Sequence, residues 1–168
     1  MKKVVLFTLV AVLAFAVGAY AQRPNFAGKW VLNAEKSVMG GGPGGGAPGG
    51  APPGGGAGRG MMGGGPLTIT QTATELVIER TVMENVTKTV YKLDGSTSNN
   101  EGRGGTMAYV SKWDGAKLVT TIKGETQRGP SESTEVRSLA ADGTMVVETT
   151  RQGQSGPVTT KMVYDKQK

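Results

Sequence analysis

Apolar and polar residues alternate with a period of two from Leu67 almost to the end of the chain, run after run. Successive side chains of a strand point to opposite faces, so this alternation predicts strands buried on one face and solvated on the other. Leu67–Gln71 is the first such run. After a tight turn at Thr72–Thr74 comes Glu75–Met83, in which Leu76, Ile78 and Val82 share a face. A turn at Glu84 and Asn85 begins Val86–Leu93. Asp94 and Gly95 then open a polar stretch, Ser96–Gly105, that reads as loop. Thr106–Trp113 carries Met107, Tyr109 and Trp113 in phase, Lys117–Ile122 follows, and a second loop is expected over Gly124–Pro130. Ser133–Leu139, Met145–Arg151 and Val158–Tyr164 complete the series.

Asp94-Gly95, Asp114-Gly115 and Asp142-Gly143 each fall between two alternating runs. Asp-Gly is a strong hairpin signal because type I′ turns need positive φ at both central positions. Far upstream, Asn25–Asn33 is a lone strand with Trp30 and Leu32 on one face and Lys29 and Val31 on the other. Ala34–Ser37 has room for a single helical turn, and no longer helix is predicted. About nine strands joined by tight turns predict an all-β, antiparallel up-and-down meander. Closure into a barrel of about eight to nine strands removes raw edges, and the alternative is a two-sheet sandwich. The opening strand is expected to pair with the last, Val158–Tyr164.

Composition changes the reading of the first third of the chain. Met1-Lys2-Lys3, an apolar run from Val4 to Val17 and the small-x-small site Ala19-Tyr20-Ala21 have the form of a removable secretory signal. Cleavage after Ala21 would place the protein in the periplasm or outside the cell. The apolar run is short for a membrane span, and no cysteine stands at the cleavage site to take a lipid, so no membrane insertion is expected after signal removal. Residues 22–39 hold the first strand and a short turn. Gly40–Pro66 is almost wholly glycine, proline and alanine, too poor in apolar surface to offset the entropy of ordering it. It is expected to be a disordered insertion, after which residues 67–168 complete one barrel domain with residues 25–33.

The residue inventory removes several chemistries. The 168-residue chain has no histidine and no cysteine, which excludes a Ser-His-Asp triad and a thiol nucleophile. It also leaves no disulfide to reinforce a small secreted core. Met39, Met61 and Met62 could hold a soft metal only without His or Cys support, so no metal and no cofactor are assigned. Asp94, Asp114 and Asp142 are accounted for by turns, and Glu79, Glu135 and Glu148 alternate with basic residues as cross-strand pairs do. No catalytic residue is named, and an enzyme is not expected. The formal net charge of +6 is spread along strands and alternates with Glu, so no nucleic-acid partner is expected. The many strand threonines, among them Thr87, Thr89, Thr120 and Thr149, suit either an exposed sheet face or a semi-polar interior that holds water or a ligand.

Phe26-Ala27-Gly28-Lys29-Trp30 resembles the opening strand of the lipocalin and fatty-acid-binding group of barrels, in which a Gly-x-Trp packs across the closed end. With Asn33-Ala34-Glu35-Lys36-Ser37 it is also similar to lipocalin-like domains of small secreted bacterial proteins. Tyr91-Lys92-Leu93-Asp94-Gly95, Trp113-Asp114-Gly115 and Val163-Tyr164-Asp165-Lys166 are similar to the later punctuation of fatty-acid-binding barrels. The resemblance implies that Phe26, Gly28, Trp30 and Tyr164 close and pack the barrel. It also implies that Arg137 stands where an arginine meets a ligand carboxylate. A second arginine of that group falls here on Met162, and its helical lid is replaced by the glycine-rich tract. Tyr109, Trp113 and Arg137 are the candidate lining of a site for a small hydrophobic or amphipathic molecule. The competing expectation is a non-catalytic structural or interaction protein with a self-filled barrel, the Gly/Pro tract serving as its tether.

Overall fold

The computed structural model describes residues 23–38, 65–82, 84–102, 105–126, 129–153 and 156–168. The signal-like segment and nearly all of Gly40–Pro66, with the domain boundaries expected there, lie outside the described residues. The described chain is all-β. Its strands are β1 (Gly28–Val38), β2 (Leu67–Gln71), β3 (Glu75–Val82), β4 (Asn85–Lys92), β5 (Thr97–Gly102), β6 (Gly105–Asp114), β7 (Lys117–Thr126), β8 (Gly129–Leu139), β9 (Met145–Gly153) and β10 (Gly156–Lys166). They form one antiparallel sheet in the order β4-β3-β2-β1-β10-β9-β8-β7-β6-β5, an up-and-down meander nearly closed into a barrel.

The lone early strand finds its partner at the far end of the chain. Trp30 stands opposite Lys166 and Leu32 opposite Tyr164 across β1 and β10, while Gly28 and Trp30 meet Ile69 and Leu67 of β2 on the other side. Gly28 has a φ of +138°, a conformation that L side chains rarely adopt. Trp30 is 1% exposed, and its indole N–H donates to the Phe26 carbonyl at 2.8 Å. Phe26 is itself buried and its ring stacks on Trp113 at 6.0 Å. The Gln71 side chain fixes the same segment, accepting from the Phe26 amide at 2.8 Å and donating to the Pro24 carbonyl at 3.1 Å. One end of the barrel is thus filled by aromatic rings, and the core continues through Leu76, Leu93, Leu118 and Met145.

Four local expectations are corrected. The stretch Ala34–Ser37 is not a helical turn but part of β1, at a bulge where the register slips between Asn33 and Val38. Side chains fill the ladder there: Asn33 Oδ1 accepts from the Lys36 amide, and Ser37 Oγ accepts from the Val163 amide. Ser96–Gly105 is not a loop, because Thr97–Gly102 forms β5 and raises the strand number to ten. Gly124–Pro130 is not one either: β7 and β8 run through it and pair to Thr126↔Gly129. The Asp-Gly pairs mark turns without filling both central positions. Asp114 pairs with Lys117, so Gly115 and Ala116 make that turn. Ala140 accepts from the Gly143 amide, which puts Asp142 and Gly143 at the last two positions of theirs.

β5 owes its place to polar atoms. No backbone ladder joins β4 to β5; instead Asn100 Oδ1 accepts from the Val90 amide at 2.7 Å, and Asn100 Nδ2 donates to the Val90 carbonyl at 2.9 Å. The Ser98 hydroxyl donates to the same carbonyl at 2.6 Å. Both Ser98 and Asn100 are buried, so the barrel is sealed along this line by side chains acting in place of a peptide partner.

Candidate functional site

Every second residue of β2, β3 and β4 points inward, and so does every second residue of β8, β9 and β10. The registers Leu67↔Arg80, Arg80↔Thr87 and Ile78↔Thr89 align one wall, and Arg137↔Val147 and Val147↔Met162 align the other. Between the walls is a cavity of about 160 Å3. Leu67, Ile78, Val147 and Met162 give it apolar surface; Arg80, Glu135, Arg137, Tyr91, Tyr164, Thr87 and Thr89 give it polar surface. The barrel is therefore neither wholly self-filled nor widely hollow.

Arg137 is the chemical centre of this space. It is 3% exposed, and its Nη2 donates to Glu135 Oε1 at 2.7 Å. The two residues are two apart on one strand, so alternation alone puts both on the inner face. The guanidinium also lies over the Tyr91 ring, 5.0 Å from its centroid, and Tyr91 meets Tyr109 edge-to-face at 5.4 Å. Nε and Nη1 of Arg137 are buried and have no hydrogen-bond partner in the protein. A buried donor left unmade costs about 1–3 kcal/mol, so an acceptor entering the cavity would find these two nitrogens free to donate. Burial, the largest single influence, disfavours the guanidinium's charge, but the Glu135 carboxylate together with Tyr91 and Tyr164 more than offsets it and holds the group protonated. Burial, with Glu135 next in weight, pushes the Tyr91 phenol well above its usual range, so it stays neutral and can donate. Tyr164 is raised by burial too, and the nearby Arg80 opposes the rise.

The structure separates the residues named from the sequence. Arg137 lines the cavity. Tyr109 lies behind Tyr91, part-buried against the core, and Trp113 is at the packed end between Phe26 and Arg23, whose guanidinium carbon is 5.6 Å from its ring centroid. Tyr164 has two faces: it packs in the core beside β1 and its hydroxyl reaches the cavity, 3.4 Å from Met162 Sδ. Three cavity residues were not read from the sequence. Arg80 occupies the omitted beat between Ile78 and Val82 on β3, where period two puts it inside. Glu135, expected to pair across strands, pairs instead within its own strand with Arg137, two residues on, and lines the cavity. Glu79 and Glu148 do stand opposite Lys88 and Lys161. Tyr91 was signalled by its phase with Thr87 and Thr89.

The threonines divide likewise. Thr68 and Thr70 are exposed, Thr87 and Thr89 line the cavity, and Thr120 is buried with its hydroxyl 2.9 Å from that of Ser111. Two larger depressions, of about 470 and 330 Å3, lie on β5 to β8 around Ala108 and Lys123. Neither includes a buried polar atom in want of a partner. Among the described residues no cluster of three or more carboxylates suggests a metal, and no helix is long and apolar enough to cross a membrane.

No known protein family matches the sequence, and no curated protein matches it. Solved structures match it by fold. The fatty acid transporter REP1-NXSQ aligns with a TM-score of 0.54 over 84% of this chain and 96% of its own, at 14% identity. The zebrafish ileal bile acid-binding protein complexed with cholic acid aligns at 0.48, over 61% of this chain and 72% of its own, at 18% identity. A mutant of the fluorescent protein UnaG also aligns at 0.48, over 61% and 71%, at 23% identity. The chain has the fold of the lipocalin and fatty-acid-binding group of barrels, as its opening Gly-x-Trp implies.

Proposed function

We propose that this protein binds a small amphipathic molecule inside its barrel and performs no chemistry on it. The observation that carries the reading is Arg137, a buried guanidinium with two unpartnered donor nitrogens in a cavity that sets polar groups beside the apolar surface of Leu67, Ile78, Val147 and Met162. Such a site orients a polar head by hydrogen bonds while Leu67, Ile78, Val147 and Met162 cover the apolar remainder. The signal-like residues 1–21 support a secreted or periplasmic setting. The names of the structural neighbours, a bile acid-binding protein and a fatty acid transporter, accord with this class of ligand.

The test is a calorimetric titration of the purified protein with benzoate, hexanoate and palmitate. Saturable one-site binding is expected, weakened at least tenfold in the paired variant Arg137→Met/Glu135→Gln, which removes the guanidinium without stranding a carboxylate. If no member of the series saturates, the reading falls. The structural alternative, a barrel whose purpose is to hold the Gly/Pro tract, would then stand in its place.

A further inference from the structure

The cavity constrains its occupant in size and in charge, and the two constraints agree. We infer that the ligand is a small monoanion, an aromatic or short-chain carboxylate of about one benzene ring's bulk, held between Arg137 on β8 and Arg80 on β3. The inference rests on the ligand-binding reading above and narrows it.

Size comes first. A cavity of about 160 Å3 has the volume of about five liquid waters and is close to the roughly 150 Å3 void that accepts benzene. Drug-sized ligands take about 300–1,000 Å3. A long alkyl chain would have to leave the cavity and lie along solvent.

Charge comes second. Two guanidiniums and one carboxylate face this space, since Arg80, Arg137 and Glu135 all line it, while the Tyr91 and Tyr164 phenols are kept neutral by burial. The balance is one positive charge. Arg137 is buried and already paired with Glu135, whereas Arg80 is half-buried and keeps part of its hydration, so the excess charge attracts an anion; one negative charge on the ligand balances the site and two overshoot it. Glu135 thus tunes valence: it takes Nη2 of Arg137 and leaves Nε and Nη1 to an incoming acceptor. Arg80 supplies the second cation from the opposite wall, while Met162 on β10 gives apolar surface. Neither role follows from the residue type alone; both follow from the phase of β3 and β8.

The experiment compares benzoate, hexanoate, palmitate, neutral benzyl alcohol and phenyl phosphate at pH 8, where the phosphate is dianionic. Benzoate and hexanoate are expected to bind most tightly. Arg80→Met should weaken benzoate roughly ten- to a hundredfold, the worth of a charge-assisted hydrogen bond, and leave benzyl alcohol within about threefold. Glu135→Gln raises the balance to two positive charges and should shift the phenyl phosphate-to-benzoate affinity ratio at least tenfold toward the phosphate. Thermal melts of both variants check that the barrel is intact. Tighter binding of palmitate or benzyl alcohol than of benzoate overturns this inference while the ligand-binding reading stands. So does an Arg80→Met variant with unchanged benzoate affinity. Absence of binding across the whole series overturns both.

Discussion

Replacing Trp30 with alanine removes one of the two indoles of the packed end, the more deeply buried one. The side chain is almost wholly inaccessible and is wedged where β1 lies between β2 and β10. Truncating a buried Phe or Trp to Ala costs about 3–5 kcal/mol, as lost transfer energy plus the cavity left behind. The indole N–H bond to Phe26 contributes about 1 kcal/mol of that, and the Lys166 ammonium 5.3 Å over the ring about another 0.5–1 kcal/mol at an exposed rim. A loss of about 4 kcal/mol is therefore expected from a domain whose whole stability is about 5–15 kcal/mol. At about 4–8 °C per kcal/mol for a domain of about 100 residues, Tm should fall by about 15–30 °C. The assay is urea unfolding followed by far-UV circular dichroism, since Trp113 alone would remain to report by fluorescence. Trp30→Phe separates the contributions: it keeps most of the ring volume and should lose only about 1–2 kcal/mol. A Trp30→Ala loss below about 1 kcal/mol, with an unchanged urea slope, would show that β1 does not close the barrel, and the packing argument would fail.

Three further outcomes are expected. Breaking the Glu135–Arg137 pair with Arg137→Met alone strands a buried carboxylate and should cost about 3–5 kcal/mol, whereas Arg137→Met/Glu135→Gln should recover most of it; equal losses in single and double variants would refute the buried pair. Tyr91, Tyr109 and Tyr164 are all raised by burial above the usual phenol value of 10.0. Their contribution to stability is complete below pH 10 and is lost as pH rises toward the folded values. Ultraviolet titration of the folded protein should accordingly show no phenol ionising near 10 until the barrel unfolds. Finally, β1 runs eight residues beyond Trp30, which pairs with Leu67, so the connection back to β2 spans at most about 26 Å, bridgeable by about eight to ten extended residues. Trimming residues 39–66 to about twelve should leave the melting profile within a few degrees; collapse of the fold would refute the slack-insertion reading.

Strand periodicity made most of the barrel legible, because β2, β3, β7 and β9 bury aliphatic residues on alternate positions and β4, β6 and β10 carry Tyr91, Tyr109 and Tyr164 inward. β5 was not, since its inward residues are Ser98 and Asn100, and buried polar residues give no hydrophobic beat. The β7–β8 turn was overestimated for a related reason: Gly124 and Pro130 are loop formers, yet they lie in the final rungs of a hairpin. At the site, Arg137 was legible by resemblance. Arg80 and Glu135 were visible only to a count that kept charged residues in phase with their apolar neighbours. Trp113 was placed with the ligand because aromatics suit cavities, but an inward aromatic near a strand end is equally suited to plug the barrel, and Phe26 from the opening segment meets it there.

The β4–β5 line has a consequence for how the interior exchanges with solvent. Separating two laddered strands breaks several peptide hydrogen bonds together, whereas this line is fastened at Val90 by one amide and one hydroxyl. Rotation of the Asn100 side chain frees both its bonds in a single rotamer change, with the backbone of every laddered strand left in place. The Ser98 hydroxyl still holds the Val90 carbonyl, so the β4–β5 line opens only when both side chains let go, while the β3–β4 ladder keeps Thr87, Thr89 and Tyr91 in register. Two side chains, and not a row of peptide groups, therefore decide whether this seam stays shut.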